Sequence, residues 1–160
     1  MSVSGTDDVD RTLKKLSELD MKQPVADAIQ TVRAAAVLNC PVDTGELRQS
    51  IYADVEGDAN RAVGTCWTNR AYAPYVEFGT GPKGQANHAG ISPEVTPVYT
   101  QVPWWIHESQ VDRRTAEKYR WFYINTPQGR FYQCTGQPAH PFLYPALHDN
   151  EDKILKNMKA

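Results

Sequence analysis

The sequence predicts an α+β fold: N-terminal helices and a C-terminal helix packed on a mainly antiparallel β-sheet, with a long extended loop or arm. Three patterns lead to that class. Val25, Ile29, Val32 and Ala36 recur at helical spacing. Residues 49–68 alternate apolar and polar positions about a Gly57-Asp58 turn, as a half-buried hairpin does. Two aromatic-bearing arms then flank Thr126-Pro127-Gln128-Gly129, a second hairpin signal.

Taken in order, residues 1–8 read as a flexible tail. Val9, Leu13 and Leu16 follow i, i+4, i+7 spacing with lysines opposite, which predicts a short amphipathic helix. Residues 20–23 break it, and Pro24 suits the first turn of a second helix. In that helix Ala34, Ala35 and Ala36 permit close packing against a sheet or another helix.

Pro41–Ile51, PVDTGELRQSI, is the pivot of the chain. Pro41 pushes Cys40 out of the α region and ends the helix. Asp43 is placed to cap a new helical turn, with Glu46 completing a capping box and Val42 and Leu47 at the positions of a hydrophobic staple. Pro41, Val42, Asp43, Glu46 and Leu47 are therefore expected to form a structural cap and hinge. Strands over 49–55 and 61–68 follow, and AYAPYVEF at 71–78 reads as a short helical turn or bent strand.

Residues 79–103 hold four prolines and four glycines with few periodic apolar positions. The extended loop or arm is placed at 82–103. Connections of that length in a compact domain are commonly functional. Trp104, Trp105 and Ile106 end it, residues 112–120 are polar with helical character, and Leu147, Ile154 and Met158 are expected to face inward on a last helix where Asp152 and Lys156 pair.

The totals exclude several function classes. At 160 residues the length suits one domain, 1–160. With 41% hydrophobic and 22% charged residues, wholesale disorder is not expected. A net charge of −2 gives no general attraction to nucleic acid. Cys40, Cys66 and Cys134 are far apart without a C-x-x-C pair, which points to reduced thiols in a cytosolic compartment. The polar, acidic start is not a signal peptide, and no apolar run approaches the length of a membrane span.

Asp43-Thr44-Gly45 spells the tripeptide of an aspartic protease. Such a site needs two carboxylates whose repulsion splits their pKa values, and a second copy is absent, so a homodimer would be required. The motif also follows an alanine-rich helix instead of an apolar strand. Gly79-Thr-Gly-Pro-Lys-Gly84 matches G-x-G-x-x-G by letter but lacks the helix that should hold a pyrophosphate, so it reads as a flexible turn. His88, His107, His140 and His148 show no metal-ligand spacing, and no cofactor or metal is expected. Arg113, Arg114, Lys118 and Arg120 beside Trp121 and Tyr123 offer a weak single-strand nucleic-acid-binding alternative, diluted by Asp112 and Glu117. Trp104-Trp105 and the aromatic hairpin either cap the core or anchor a partner subunit.

Three segments, AAAVLNCPVDTGELRQSI (34–51), AYAPYVEFGTG (71–81) and PAHPFLYPAL (138–147), occur in an order that resembles the tailed-phage head–tail joining proteins: neck, tail-completion or minor tail components typified by the tenth gene product of a lambda-like siphophage. The resemblance rests on Pro41, Asp43, Thr44, Gly45, Leu47, Ser50 and Ile51; on Tyr72, Ala73, Val76, Glu77, Gly79 and Thr80; and on Pro138, Pro141, Phe142, Pro145 and Ala146. Between Gly81 and Pro138 the chain carries more than the simplest members do.

The resemblance implies a non-enzymatic virion protein, present in the host cytoplasm during assembly and then in the phage tail or neck. It implies a homo-oligomeric, six-fold ring at the head–tail junction or tail end, contacting neighbouring connector and tail-tube proteins. DNA would pass through its lumen without specific binding, and no membrane is involved. Tyr72, Tyr75, Glu77, Phe78, Trp104, Trp105, His140 and Phe142 are the candidate subunit-interface residues.

Overall fold

The computed structural model describes residues 6–17 and 20–158, with the side chains of residues 6–8 and 15–17 left aside. The expected tail therefore lies outside the described residues as far as Gly5, as does the Leu16 side chain. The fold is α+β, as the sequence predicts. Length alone suggests one domain. The chain divides into two compact units, one made of the residues up to Arg70 with those from Phe142 on, the other of Ala71–Pro141.

In the first unit, α1 (Thr6–Ser17) leaves Val9 and Leu13 more than half exposed. The centre is α2 (Lys22–Asn39), whose predicted apolar face is the one it buries, through Ile29, Val32 and Ala36. Full burial of an Ile or Val side chain stabilises by roughly 1.5–3 kcal/mol, so this stripe positions the whole unit. Helix α3 (Glu46–Gln49) leads into an antiparallel ribbon of β1 (Ile51–Gly57) and β2 (Ala62–Thr68), with Ile51 opposite Thr68 and Gly57 opposite Ala62.

The inner face of the ribbon lies on α2. The approach is close because position 64 is glycine: a Cβ there would sit 3.0 Å from the Ile29 Cβ and 3.1 Å from a Val25 methyl. The outer face is exposed. At the C-terminus, α7 (Leu143–His148) and α8 (Glu151–Met158) also pack on α2. A single terminal helix was expected. The chain instead breaks at Asp149-Asn150, where the Asp149 N–H closes on Pro145 O and the Ile154 N–H restarts from Asn150 O. Leu147, expected to face inward, is 54% exposed, because the break re-aims α7 so that Ala146 takes the buried position.

The second unit contains α4 (Ala73–Phe78), α5 (Gly81–Ala86), β3 (Trp104–His107), a 3₁₀ turn at Glu108–Gln110, α6 (Arg113–Lys118), β4 (Tyr123–Thr126) and β5 (Gly129–Cys134). Its antiparallel sheet has the order β3-β5-β4. The β4–β5 hairpin is the one the Thr-Pro-Gln-Gly signal predicts. Strand β3 was not anticipated: four residues behind Pro103 show no alternation. The Gly79–Gly84 stretch, expected as a flexible turn, enters helix α5. Residues 87–103 carry neither helix nor strand.

Candidate subunit interface

The hinge is built differently from the capping box its letters suggest. Cys40 is extended (ψ 125°), as Pro41 requires. The N-cap of α3 is Gly45, left-handed at φ 82°, and Thr44 Oγ1 accepts from the Glu46 N–H at 3.5 Å. Glu46 is thus the first helical residue and cannot reach back as the third one would. Asp43 lies two residues upstream of the cap, in an exposed loop. Nor is there a staple, since Leu47 is buried while Val42 is 61% exposed. A glycine that enters the left-handed region without penalty turned the chain later than a capping Asp would have.

Two residues not singled out in the sequence, Arg33 and Arg48, hold this hinge together with Ser50 of the first motif. Arg48 Nη2 donates to Cys40 O at 2.8 Å, and Arg33 Nε donates to Ile51 O at 2.8 Å. The buried Ser50 hydroxyl donates to Leu47 O at 2.8 Å and shares a hydrogen bond of 2.7 Å with Thr68 Oγ1. The two arginine bonds to distant backbone carbonyls have no spacing signature, so only the fold displays them.

In the second unit the two remaining motifs are clamped together. Thr80 N–H donates to Gln137 O (2.9 Å), and Gln137 N–H donates to Thr80 O (3.1 Å), forming an isolated antiparallel bridge. On either side, His140 N–H donates to Val76 O, Ala139 N–H to Asn87 O and Lys83 N–H to Thr135 O. Gln137 Nε2 adds a bond to Tyr75 O, and the Tyr99 hydroxyl donates to Phe78 O, both 2.8 Å. Glycines permit the contact: at Gly136 (φ 80°) a Cβ would fall 1.8 Å from Thr80 O.

The candidate interface residues separate by burial. Glu77 and Phe142 are buried, at 6% and 0% exposure, and offer no surface to a partner. Phe78 and Trp104 are half-buried. Tyr72, Tyr75, Trp105 and His140 are exposed. Trp105 continues into the aromatic hairpin through Phe122, a residue outside the candidate set, whose ring lies edge-on at 6.1 Å and which is 63% exposed. Trp105, His107, Phe131 and Ile124 share one side of the sheet by register.

The opposite side of that sheet carries charge. The Arg130 guanidinium stacks over Tyr123 at 4.3 Å and donates to Asn125 Oδ1 at 3.1 Å. A hydrogen bond to Tyr132 raises its pKa, while the like charge of Arg113 acts in the other direction. Arg113 is raised chiefly by its hydrogen bond to Glu117, at 2.8 Å on the same helix.

Among the cysteines, Cys40 and Cys134 are buried and Cys66 is half-buried, and none of the three forms a disulfide. Burial pushes the Cys66 thiol up, against a smaller opposing pull from Arg33. A raised thiol pKa favours the neutral form in the folded chain, so its contribution is intact below the unfolded pKa near 9.0 and lost as pH rises past it. Cys66 should accordingly alkylate with iodoacetamide more slowly than a small-molecule thiol at pH 8; an equal or faster rate would contradict the burial.

Among the described residues no helix is long and apolar enough to cross a membrane, and no group of His, Cys, Asp and Glu is arranged to hold a metal ion. Residues 7–79 match the family described as "Bacteriophage HK97-gp10, putative tail-component". No curated protein and no solved structure matches the chain. The matched span runs from α1 through the hinge and the ribbon to the end of α4, and so holds the first motif entire and most of the second. Over residues 7–79, this chain is similar to the HK97 gp10-like family of phage tail components.

Proposed function

We propose that this protein is a non-enzymatic structural component that assembles into a homo-oligomeric ring at the head–tail junction or tail end, as a neck, tail-completion or tail-terminator protein. The family match supports a phage tail role and a place in the virion. The observation that carries the finer reading is the poor burial of the second unit. Its buried apolar residues among those described are Ala73, Ala116, Tyr132 and Cys134. Trp105, Phe122, Tyr123, Ile124, Tyr75 and Val98 all remain more than 40% exposed, Val98 at 99%. Exposed apolar surface, above all the Trp105, Phe122 and Ile124 side of the sheet, is of the kind that marks association sites.

The backbone adds a second unmet demand. Residues 96–103 make no backbone–backbone hydrogen bonds, and the β1–β2 ribbon has two open edges. An arm that pairs with a strand edge of a neighbouring subunit satisfies both, and a heterologous contact closes into a ring when its rotation allows. The reading includes six copies, connector and tail-tube proteins as neighbours, and DNA passing through the lumen without specific contact. Light scattering and electron microscopy of purified protein, alone and mixed with the connector and tail-tube proteins of the same phage, should show closed rings. A strict monomer under all of these conditions would overturn the proposal.

A further inference from the structure

We propose that the subunits of this ring meet through the outer face of the β1–β2 ribbon on one copy and the α6 turn on the next; the inference rests on the ring reading above. The ribbon's outer face is three cross-strand rungs, Tyr52 opposite Trp67, Asp54 opposite Thr65 and Glu56 opposite Val63. All six side chains are exposed. The two rings of the first rung lie 4.9 Å apart and leave Tyr52 40% and Trp67 44% exposed. An aromatic pair beside two carboxylates, with no basic side chain on that face, suits a partner that brings guanidinium groups.

The same chain carries such a surface. Residues 112–130 hold five basic and two acidic side chains, whereas residues 51–68 hold three acidic and one basic. In a protein of net charge −2 these are segments of opposite sign, as the two halves of a heterologous contact must be. Arg114, Arg120 and Arg130 form no ion pair among the described residues, and Tyr119 beside them is 54% exposed.

The backbone at Arg120 supplies an independent sign. Helix α6 ends in a full Schellman motif: Trp121 N–H donates to Ala116 O at 3.0 Å, and Arg120 N–H donates to Glu117 O at 3.1 Å. The residue this motif places in the left-handed region is Arg120, at φ 51°, where glycine is the usual occupant. It is the one positive-φ residue other than glycine among those described. An arginine held where glycine would fit better is the kind of local strain found at functional surfaces. Asp112 and Glu117 among the arginines, and the exposed apolar Phe122, favour a protein face of mixed character over a run of phosphates.

The test uses the full chain and four variants, each checked for its melting temperature. Arg114→Glu with Arg120→Glu, and Asp54→Lys with Glu56→Lys, should each lower the apparent association constant of the ring at least tenfold by light scattering. Combining all four changes should restore it. Arg120→Gly should raise the melting temperature by about 2–4 °C while weakening assembly, a split that a purely structural residue would not give. The proposal is overturned if rings of the wild-type protein form equally well from either charge-reversed variant, or if the combined variant fails to recover. It is also overturned if the arginine variant keeps its rings but loses binding to a short DNA duplex. Absence of rings from the wild type itself would instead sink the ring reading.

Discussion

Replacing Phe142 with alanine is expected to lower the stability of the protein by about 3–5 kcal/mol, the range for deleting a buried aromatic ring. Phe142 has no exposed surface and is, with Ile51 and Cys40, among the largest fully buried side chains. It precedes α7, which packs on α2, and the other fully buried apolar residues of that unit are aliphatic or small. Against a total of 5–15 kcal/mol for a native domain, such a loss leaves little in reserve. Denaturant unfolding should show a lower midpoint at an unchanged slope. A loss below about 1 kcal/mol would mean that the site relaxes, and that Phe142 is not the keystone its burial suggests.

A second large effect is expected at Gly136→Ala. Two costs add there. The left-handed backbone at φ 80° penalises any Cβ by roughly 1–2 kcal/mol. The added carbon would also lie 1.8 Å from Thr80 O, a backbone atom that cannot turn aside. Thr80 and Gln137 must then separate, giving up two backbone hydrogen bonds worth about 0.5–1.5 kcal/mol each. The sum is about 2–5 kcal/mol. Gly90→Ala is the control, since its φ of 79° is the same but its Cβ would come no closer than 3.4 Å to a Pro141 carbon. Hydrogen exchange should show the Thr80 and Gln137 amides exposed in the Gly136 variant and protected in the Gly90 variant. Equal destabilisation by both would show that the clamp bears no special weight.

What the sequence disclosed followed from periodicity. Ile29, Val32 and Ala36 announced the buried face of α2, and the alternation over 51–68 announced the ribbon, because in both cases one side meets a core and the other meets water. What stayed hidden depended on backbone conformations that composition alone does not mark. Asp43 and Glu46 have capping-box spacing, yet Gly45 turned the chain two residues later. Gly81-Pro82-Lys83-Gly84 has the makeup of a turn, yet it is helical, because the bridge at Thr80 and the Lys83 to Thr135 bond fix its first turn. Residues 112–120 have helical character in the sequence, yet nothing there marks the left-handed turn at Arg120, a position glycine usually takes.

The candidate interface was legible in part for a similar reason. Aromatic excess identified Trp105 and the motif at 71–81 identified Tyr72 and Tyr75, but nothing in one sequence separates an aromatic that seals a core from one that waits for a partner. Burial draws that line, removing Phe142 and Glu77 and adding Phe122.

The bridge between Thr80 and Gln137 has a consequence for how such a chain can change over generations. Everything between those residues departs from and returns to one fastened point. Lengthening a loop costs little once its ends are tied, about 0.6 kcal/mol for each doubling. The region that α5, the arm, β3 and the aromatic hairpin occupy is therefore a tolerant graft site. Segments could be gained or exchanged there to suit a new neighbour in the tail while the knot that holds them stays the same.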